Sequence, residues 1–221
     1  MITVHHLNNS RSQRILWLLE ELGVPYEIQR YQRDPKTMLA PPELLRVHPL
    51  GKSPVITDGD LTIAESGAIV EYLVERYGTG ALVPPGSAER LRYTYWLHFA
   101  EGTAMPPLVM TLVFNRIERA PMPFFAKPIA RGIAHKVKSD FIAPNLARIV
   151  DHMDAELGRS EWFAGDAFSA ADIQMSFPVE AAVSRAGGAA RPNLTRFLER
   201  IHARPAYRRA LEKGGEFAIL G

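Results

Sequence analysis

The first 31 residues fit a strand, a helix and a second strand, and this order constrains the fold more than any other feature. Residues 2–6 are predicted to form the first strand, and residues 26–31 alternate apolar and polar side chains as a second strand does. The helix between them stops at Gly23, with Pro25 beyond it, and carries an apolar stripe at i, i+3, i+4 and i+7: Ile15, Leu18, Leu19 and Leu22. Because a helix separates the two strands, they are expected to run parallel in a βαβ unit.

The elements that follow include both strands and helices up to a linker, and only helices after it. Pro41-Pro42 opens a short helical turn, and a hairpin is predicted around Asp58-Gly59-Asp60, which strands flank on both sides. A helix over residues 65–77 follows. Residues 78–87 contain three glycines and two prolines without periodicity, which is typical of a linker. Everything after it has helical spacing, and Pro106-Pro107 should kink or break the first of these helices, because an interior proline loses a backbone hydrogen bond.

Length and charge set the broad class of protein. A chain of 221 residues favours two modest domains, which we place at residues 1–78 and 87–221. The net charge is 26 − 24 = +2, so neither nucleic acid nor an anionic membrane is predicted as a partner. No apolar run is long enough to span a bilayer, and the N-terminus carries no secretory pattern, so the predicted location is the cytoplasm.

The chain has no cysteine, which excludes disulfides, thiolate zinc sites and catalysis by a protein thiol. Any thiol chemistry must therefore use a thiol that a ligand supplies. The seven histidines show no ligand spacing, so no metal site is predicted.

Three features that suit one ligand lie between residues 50 and 67. Lys52 offers a cation, Pro54 precedes an apolar strand with extended backbone, and Glu65-Ser66 opens a helix. Cations and helix N-termini bind carboxylates. The segment therefore suits a short peptide with a carboxylate at each end.

These elements and motifs, in this order, resemble the glutathione transferase family over essentially the whole chain, and most closely its bacterial and fungal members with a serine after the first strand. The resemblance implies an α/β thioredoxin-like N-terminal domain plus an all-α C-terminal domain. It also implies glutathione as co-substrate, no metal or organic cofactor, and a homodimer. The segments that carry it are residues 10–21, 41–54, 64–77 and 168–173.

Ser10 is the predicted catalytic residue. It lies where the first strand turns into the first helix, and in the serine-type members of the family this hydroxyl donates to the glutathione sulfur. A helix N-terminus with donors can lower a thiol pKa from about 8.5 to roughly 3.5–7.5. Two alternatives remain: Ser10 and Gln13 fit an S-x-x-Q capping box, and Ser12 or Asn9 could contact the sulfur instead.

The resemblance assigns further residues to glutathione. Lys52 would hold the glycine carboxylate, Ser53 would pair with the cysteinyl unit, and Pro54 matches the family's cis-proline. Glu65 would take the ammonium group, while Ser66 would cap the third helix and bind the γ-glutamyl carboxylate. Ser12 is included as a further glutathione-binding candidate. The alternative for Glu65 and Ser66 is a plain helix N-terminus.

The second half offers weaker candidates. Glu101 would reach the glutathione amine of a partner subunit, as acidic residues there do in relatives, or would lie on a solvated helix face. Apolar residues of these helices could line a pocket for a small hydrophobic electrophile, or they could belong to the core. The candidates for the pocket are Met105, Leu108, Met110, Phe114 and Phe177.

Residues 168–173 contain a capping box, Ser169 with Asp172, and a staple between Phe168 and Ile173. We assign this motif to folding. Loss of the Asp172 carboxylate should cost about 1 kcal/mol of stability.

The predicted function is conjugation of the glutathione thiolate to apolar electrophiles, a detoxification reaction, with hydroperoxide reduction as a further activity. Two alternatives are a non-catalytic binding or regulatory scaffold of the same fold, since fold does not fix function, and a glutathione-dependent isomerase or dehalogenase.

Overall fold

The first half of the chain contains one four-stranded sheet and three helices. In chain order they are β1 (Ile2–Leu7), α1 (Ser12–Leu22), β2 (Tyr26–Tyr31), α2 (Glu43–Val47), β3 (Val55–Asp58), β4 (Leu61–Ala64) and α3 (Ser66–Tyr77). The strand order is β2-β1-β3-β4, with β1 parallel to β2 and antiparallel to β3. The computed structural model describes residues 1–215 and 217; the rest of the predicted second domain, residues 216 and 218–221, lies outside them.

The βαβ unit has the predicted form. Ile2 pairs with Tyr26 and Leu7 with Tyr31, so β1 extends one residue beyond its predicted end. Gly23 follows α1 with φ 66°, and its amide donates to the Leu19 carbonyl. Glycine populates this left-handed region without the steric cost of a Cβ, which is why the helix stops here.

The second half is helical throughout its described part. Its helices are α4 (Ser87–Phe99), α5 (Met105–Arg119), α6 (Lys127–Val137), α7 (Ala143–Leu157), α8 (Ala170–Arg185), α9 (Pro192–Ala203) and α10 (Pro205–Gly214). Among the described residues, no helix has the length and apolar character that crossing a bilayer requires.

Two π-helical segments connect consecutive helices, Ala100–Ala104 before α5 and Lys138–Ile142 before α7. Each is followed by proline in the first turn of the next helix, and the backbone stays helical across the junction. The predicted break at Pro106-Pro107 therefore takes the form of a wider turn just before the prolines.

Helix α1 connects the two halves of the protein through ion pairs with arginines in α10 and directly before it. Glu21 receives two hydrogen bonds from Arg204, at 2.6 and 2.9 Å, and Glu20 receives one from Arg209 at 2.7 Å. Trp17, fully buried, packs edge-on against Tyr207 of α10. The C-terminal half of α1 is thereby fixed against the last described helix.

The predicted capping box of α8 is present. Asp172 is fully buried, and one of its carboxylate oxygens accepts hydrogen bonds from the Ser169 amide and the Ser169 hydroxyl, both at 2.9 Å. Its other oxygen accepts from the Phe163 amide at 2.8 Å, a contact that the motif does not predict. Asp172 therefore links the helix start to the preceding loop.

Candidate functional site

Ser10 lies in the turn between β1 and α1 and is only 3% exposed. Its hydroxyl oxygen accepts a hydrogen bond from the Ser12 amide at 3.2 Å and lies 2.8 Å from the Ser12 hydroxyl. The Gln13 amide donates to the backbone carbonyl of Ser10, and α1 starts without a side-chain cap. The S-x-x-Q capping box is therefore absent, because the Ser10 hydroxyl binds the amide of Ser12 instead.

Ser12 is fully buried behind Ser10. The Ser12 hydroxyl lies 2.8 Å from Nδ1 of His6, a residue of β1. Burial, helped by the charge of Arg30, lowers the pKa of His6 to about 4, although the Gly214 carbonyl opposes this shift. The imidazole is thus neutral at physiological pH. Sequence reasoning did not find His6, whose only signal is its place beside Ile2 and Val4 on the inward face of β1.

The loop before β3 is held against β1. The Ser53 hydroxyl donates to the His5 carbonyl at 2.8 Å and accepts from the Leu7 amide at 3.3 Å. The Ser53–Pro54 peptide bond is cis. Lys52 is exposed just before it.

Helix α3 starts at Ser66, and the residue before it, Glu65, occupies the N-cap position without a capping side-chain hydrogen bond. The prediction that Ser66 caps the helix is wrong, because the Ser66 hydroxyl accepts from Nη2 of Arg14 at 3.0 Å. Glu65 has φ 70°, a region that costs free energy for any residue other than glycine and that recurs at functional sites. Unpaired amides in the first turn give this helix end a positive potential.

Arg14 connects α1 to the second half of the chain. It is 2% exposed; Nη1 donates to the Gln174 carbonyl of α8, and Nη2 donates to both Ser66 and Glu101. Burial lowers the pKa of Arg14, while the neighbouring Glu101 raises it.

Glu101 forms ion pairs within its own chain, and its reach toward a partner subunit stays a prediction. Its carboxylate pairs with Arg14, and the other oxygen lies 3.3 Å from Nε of Arg11. Both arginines also lie over the Phe177 ring, at 5.9 and 5.8 Å from its centroid. Phe177 is therefore partly covered by cations of its own chain.

The candidate residues for the electrophile pocket differ in how deeply they are buried. Met105 and Leu108 belong to the hydrophobic core, whereas Met110 and Phe114 are half-buried on α5. Among the described residues there is no cluster of three or more histidine, aspartate or glutamate side chains that could hold a metal ion.

Comparison with known proteins identifies the family. Residues 1–75 match the family model for the glutathione S-transferase N-terminal domain, and residues 127–205 match that for the C-terminal domain. Glutathione S-transferase 3 of Schizosaccharomyces pombe is 40% identical over 96% of this chain and 88% of its own length. The chain belongs to the glutathione S-transferase family.

Two solved structures of the family extend this comparison. A glutathione S-transferase from Actinobacillus pleuropneumoniae is 34% identical with a TM-score of 0.80, covering 99% of this chain and 95% of that one. A family member from Pseudomonas fluorescens, solved with two glutathione molecules bound, is 29% identical with a TM-score of 0.73, covering 96% and 92%. The predicted fold class and the assignment as a transferase are confirmed; the serine-type subgroup and the individual site residues stay predictions.

Proposed function

We propose that this transferase binds glutathione at the edge of the sheet formed by the turns around Ser10, Ser53 and Ser66, and transfers its thiolate to apolar electrophiles. The observation that carries this proposal is a pair of links to the β1–α1 segment. The Ser53 hydroxyl bonds the backbone of β1, and Arg14 of α1 bonds Ser66. Three segments far apart in the chain thus meet at one edge.

The chemistry of that edge suits the tripeptide. Lys52 would supply a cation for the glycine carboxylate, and the backbone of Ser53 would pair with the cysteinyl unit. The start of α3, with Ser66, suits the γ-glutamyl carboxylate, and Glu65 suits its ammonium group. The Pseudomonas fluorescens structure, with two bound glutathione molecules, supports this ligand.

Glutathione supplies the thiol that the chain lacks, since the sequence has no cysteine. The amino end of α1 and Ser10 favour its thiolate, and holding the thiolate beside an electrophile makes the reaction effectively unimolecular. No metal or organic cofactor is needed for this step. Reduction of hydroperoxides by the same thiolate is a second proposed activity, and both fit the cytosol, where glutathione is the thiol buffer.

Calorimetric titration with glutathione tests the binding site. We expect saturable binding, weakened about threefold to tenfold in Lys52→Met, because the hydrogen bond of this exposed side chain to the glycine carboxylate, about 0.7–1.4 kcal/mol, is lost. Lys36→Met, in the loop after β2, is the matched control and should bind as wild type does. Absence of binding at millimolar glutathione would favour a non-catalytic scaffold.

We also propose a homodimer, with the outer face of α4 at its interface. Leu91 and Tyr95 lie one helical turn apart on this face and are 73% and 47% exposed. Such an apolar stripe on a helix surface is buried in most stable proteins, and a second copy would cover it. Light scattering should give twice the chain mass of 24.7 kDa. Leu91→Glu should halve that mass, whereas the exposed Leu39→Glu should not change it.

A further inference from the structure

One end of the molecule carries two aromatic side chains that are almost fully exposed to water. The loop between α5 and α6, residues 120–126, contains no charged residue, and its Phe124 and Phe125 are 84% and 65% exposed. The two rings pack edge-on against each other, with 5.7 Å between their centroids. Exposed apolar surface of this kind marks a site that binds another protein or a membrane.

A second segment lies at the same end. Arg116 of α5 donates hydrogen bonds to the backbone carbonyls of Lys36 and Thr37, at 3.2 and 3.3 Å. These bonds hold residues 33–39, in the loop after β2, against α5. The segment adds two more apolar side chains that are exposed, Met38 and Leu39.

The charge of these two segments differs from that of the rest of the chain. Residues 33–39 and 116–131, which we call the basic end, contain six lysines and arginines and two acidic residues, a net charge of 6 − 2 = +4. All other residues together have a net charge of 20 − 22 = −2. The net charge of +2 for the whole chain therefore does not reveal that the positive charge is concentrated at one end.

The cations of the basic end surround its apolar loop. Arg119 is the last residue of α5 and Lys127 the first of α6, so they flank residues 120–126 on both sides. Arg131 follows one helical turn after Lys127. All three side chains are exposed, and Arg119 and Arg131 line the same surface depression between α5 and α6.

The two acidic residues of the basic end already have partners. Glu118, which lines the same depression, forms an ion pair with Lys138 at 2.6 Å. Asp34 accepts hydrogen bonds from the amides of Lys36 and Thr37 in its own loop. The positive charge around the apolar loop is therefore available to an anionic partner.

An anionic lipid bilayer matches this surface better than a second copy of the chain does. Aromatic side chains bury between lipid headgroups, while lysines and arginines bind the anionic headgroups around them. A symmetric dimer through the basic end would instead place two net charges of +4 side by side, and like charges at an interface are unfavourable.

We propose that the basic end docks on the surface of anionic membranes, with Phe124 and Phe125 inserted between the headgroups and the surrounding cations against the lipid phosphates. This docking is peripheral and requires no helix that crosses the bilayer. It does not depend on where glutathione binds. Apolar electrophiles partition into bilayers, so a docked transferase would lie next to its proposed substrates.

Sedimentation with lipid vesicles tests the proposal. At about 0.1 M salt we expect the protein to bind vesicles of phosphatidylcholine that contain about 30% phosphatidylglycerol. Binding to vesicles of phosphatidylcholine alone should be weaker by about tenfold or more. Raising the salt to about 0.5 M should weaken binding to the anionic vesicles, because salt screens the attraction.

Two double variants test the two parts of the surface. Lys127→Gln/Arg131→Gln should weaken binding to the anionic vesicles about 30-fold, since each cation near such a surface contributes about fivefold. Phe124→Ser/Phe125→Ser should weaken it by about tenfold or more, because the inserted apolar area is lost.

Each double variant has a matched control. Arg46→Gln/Arg185→Gln removes two exposed cations from α2 and α8, so it has the same net charge as Lys127→Gln/Arg131→Gln. Leu61→Ser removes an exposed apolar side chain from β4. Both controls should bind the anionic vesicles within about twofold of wild type, since a charge more than a Debye length from the surface is screened.

Three results would overturn the proposal. The first is a protein that binds neither kind of vesicle. The second is an equal loss of binding in the two charge variants, which would mean that net charge and not the basic end attracts the lipid. The third is a Phe124→Ser/Phe125→Ser protein that keeps vesicle binding but has half the wild-type mass by light scattering, which would make this end an interface between copies. Calorimetric titration with glutathione should give wild-type affinity in both basic-end variants, so these results leave the proposed function untouched.

Discussion

Replacing Arg14 with methionine is expected to weaken glutathione binding about tenfold to 150-fold, because a hydrogen bond to a charged group contributes about 1.5–3 kcal/mol. Arg14 donates to the Ser66 oxygen at 3.0 Å, and this leaves the single Ser66 proton for the ligand carboxylate. Without the guanidinium, the Ser66 hydroxyl is neither oriented nor polarised.

The same replacement should also destabilise the fold. It leaves the Gln174 carbonyl without its guanidinium donor and breaks the pair with Glu101. Because Glu101 is 30% exposed and keeps Arg11 nearby, we expect about 2–3 kcal/mol lost from the free energy of unfolding, below the 3–5 kcal/mol typical of a fully buried pair. Urea denaturation measures this loss.

Arg11→Met is the matched control for Arg14→Met. Arg11 faces the same Glu101 carboxylate but is a third exposed, and Ser66 receives its hydrogen bond from Arg14. Its loss should cost less than about 1 kcal/mol and leave glutathione affinity within about twofold of wild type. Equal loss of affinity in both variants would show that charge near Glu101, and not the link to Ser66, supports binding.

Local chemistry made most of the fold predictable from the sequence. The hairpin of β3 and β4 follows from Asp58-Gly59-Asp60, whose turn preference does not depend on the rest of the chain. The end of α1 follows from Gly23, and the capping box of α8 from Ser169 and Asp172. In each case the residues that fix the structure are neighbours in sequence.

The site was harder to predict because its hydrogen bonds join distant segments. Arg14 contacts residues of α3, α8 and the π-helical segment before α5. No local sequence pattern predicts that its guanidinium is buried. The one sequence signal for this burial is the position of Arg14, which precedes Leu18 by four residues and therefore lies on the same buried face of α1.

One error in the sequence analysis comes from a tertiary contact. Ser66 precedes an apolar helical stretch, which locally predicts a cap, yet a tertiary contact with Arg14 takes its oxygen and Glu65 occupies the N-cap. The ion pairs of Glu101 with Arg11 and Arg14 were not predicted either, because they join segments that are far apart in the sequence.

Replacing Asp172 with alanine is expected to destabilise the protein by about 2–4 kcal/mol, more than the cap alone implies, because three donors lose their acceptor inside the core. They are the amides of Phe163 and Ser169 and the Ser169 hydroxyl. Glutathione affinity should not change, since these contacts lie in the loop before α8 and at its start. Thermal or urea unfolding with a parallel glutathione titration measures both quantities.

The loss of stability in Asp172→Ala should also depend on pH. Burial raises the pKa of Asp172 from 3.8 to about 6, against the opposing effect of its hydrogen-bond donors. An acid whose pKa is raised by folding stabilises the folded state fully below its unfolded pKa and loses that contribution as the pH rises through the folded value. The stability gap between wild type and Asp172→Ala should therefore narrow as the pH rises from about 4 to 7.5.

The exposed neighbour Asp166 provides the control for this pH dependence. Asp166→Ala removes a carboxylate from the same loop without removing an acceptor from the core, so its effect should stay within about 0.5 kcal/mol and show little change with pH. A gap for Asp172→Ala that widens with pH would mean that the folded protein favours the carboxylate, and that the three donors outweigh burial. Because both aspartates lie in or next to the same loop, the difference between the two variants measures what the buried Asp172 carboxyl group contributes together with its three hydrogen bonds.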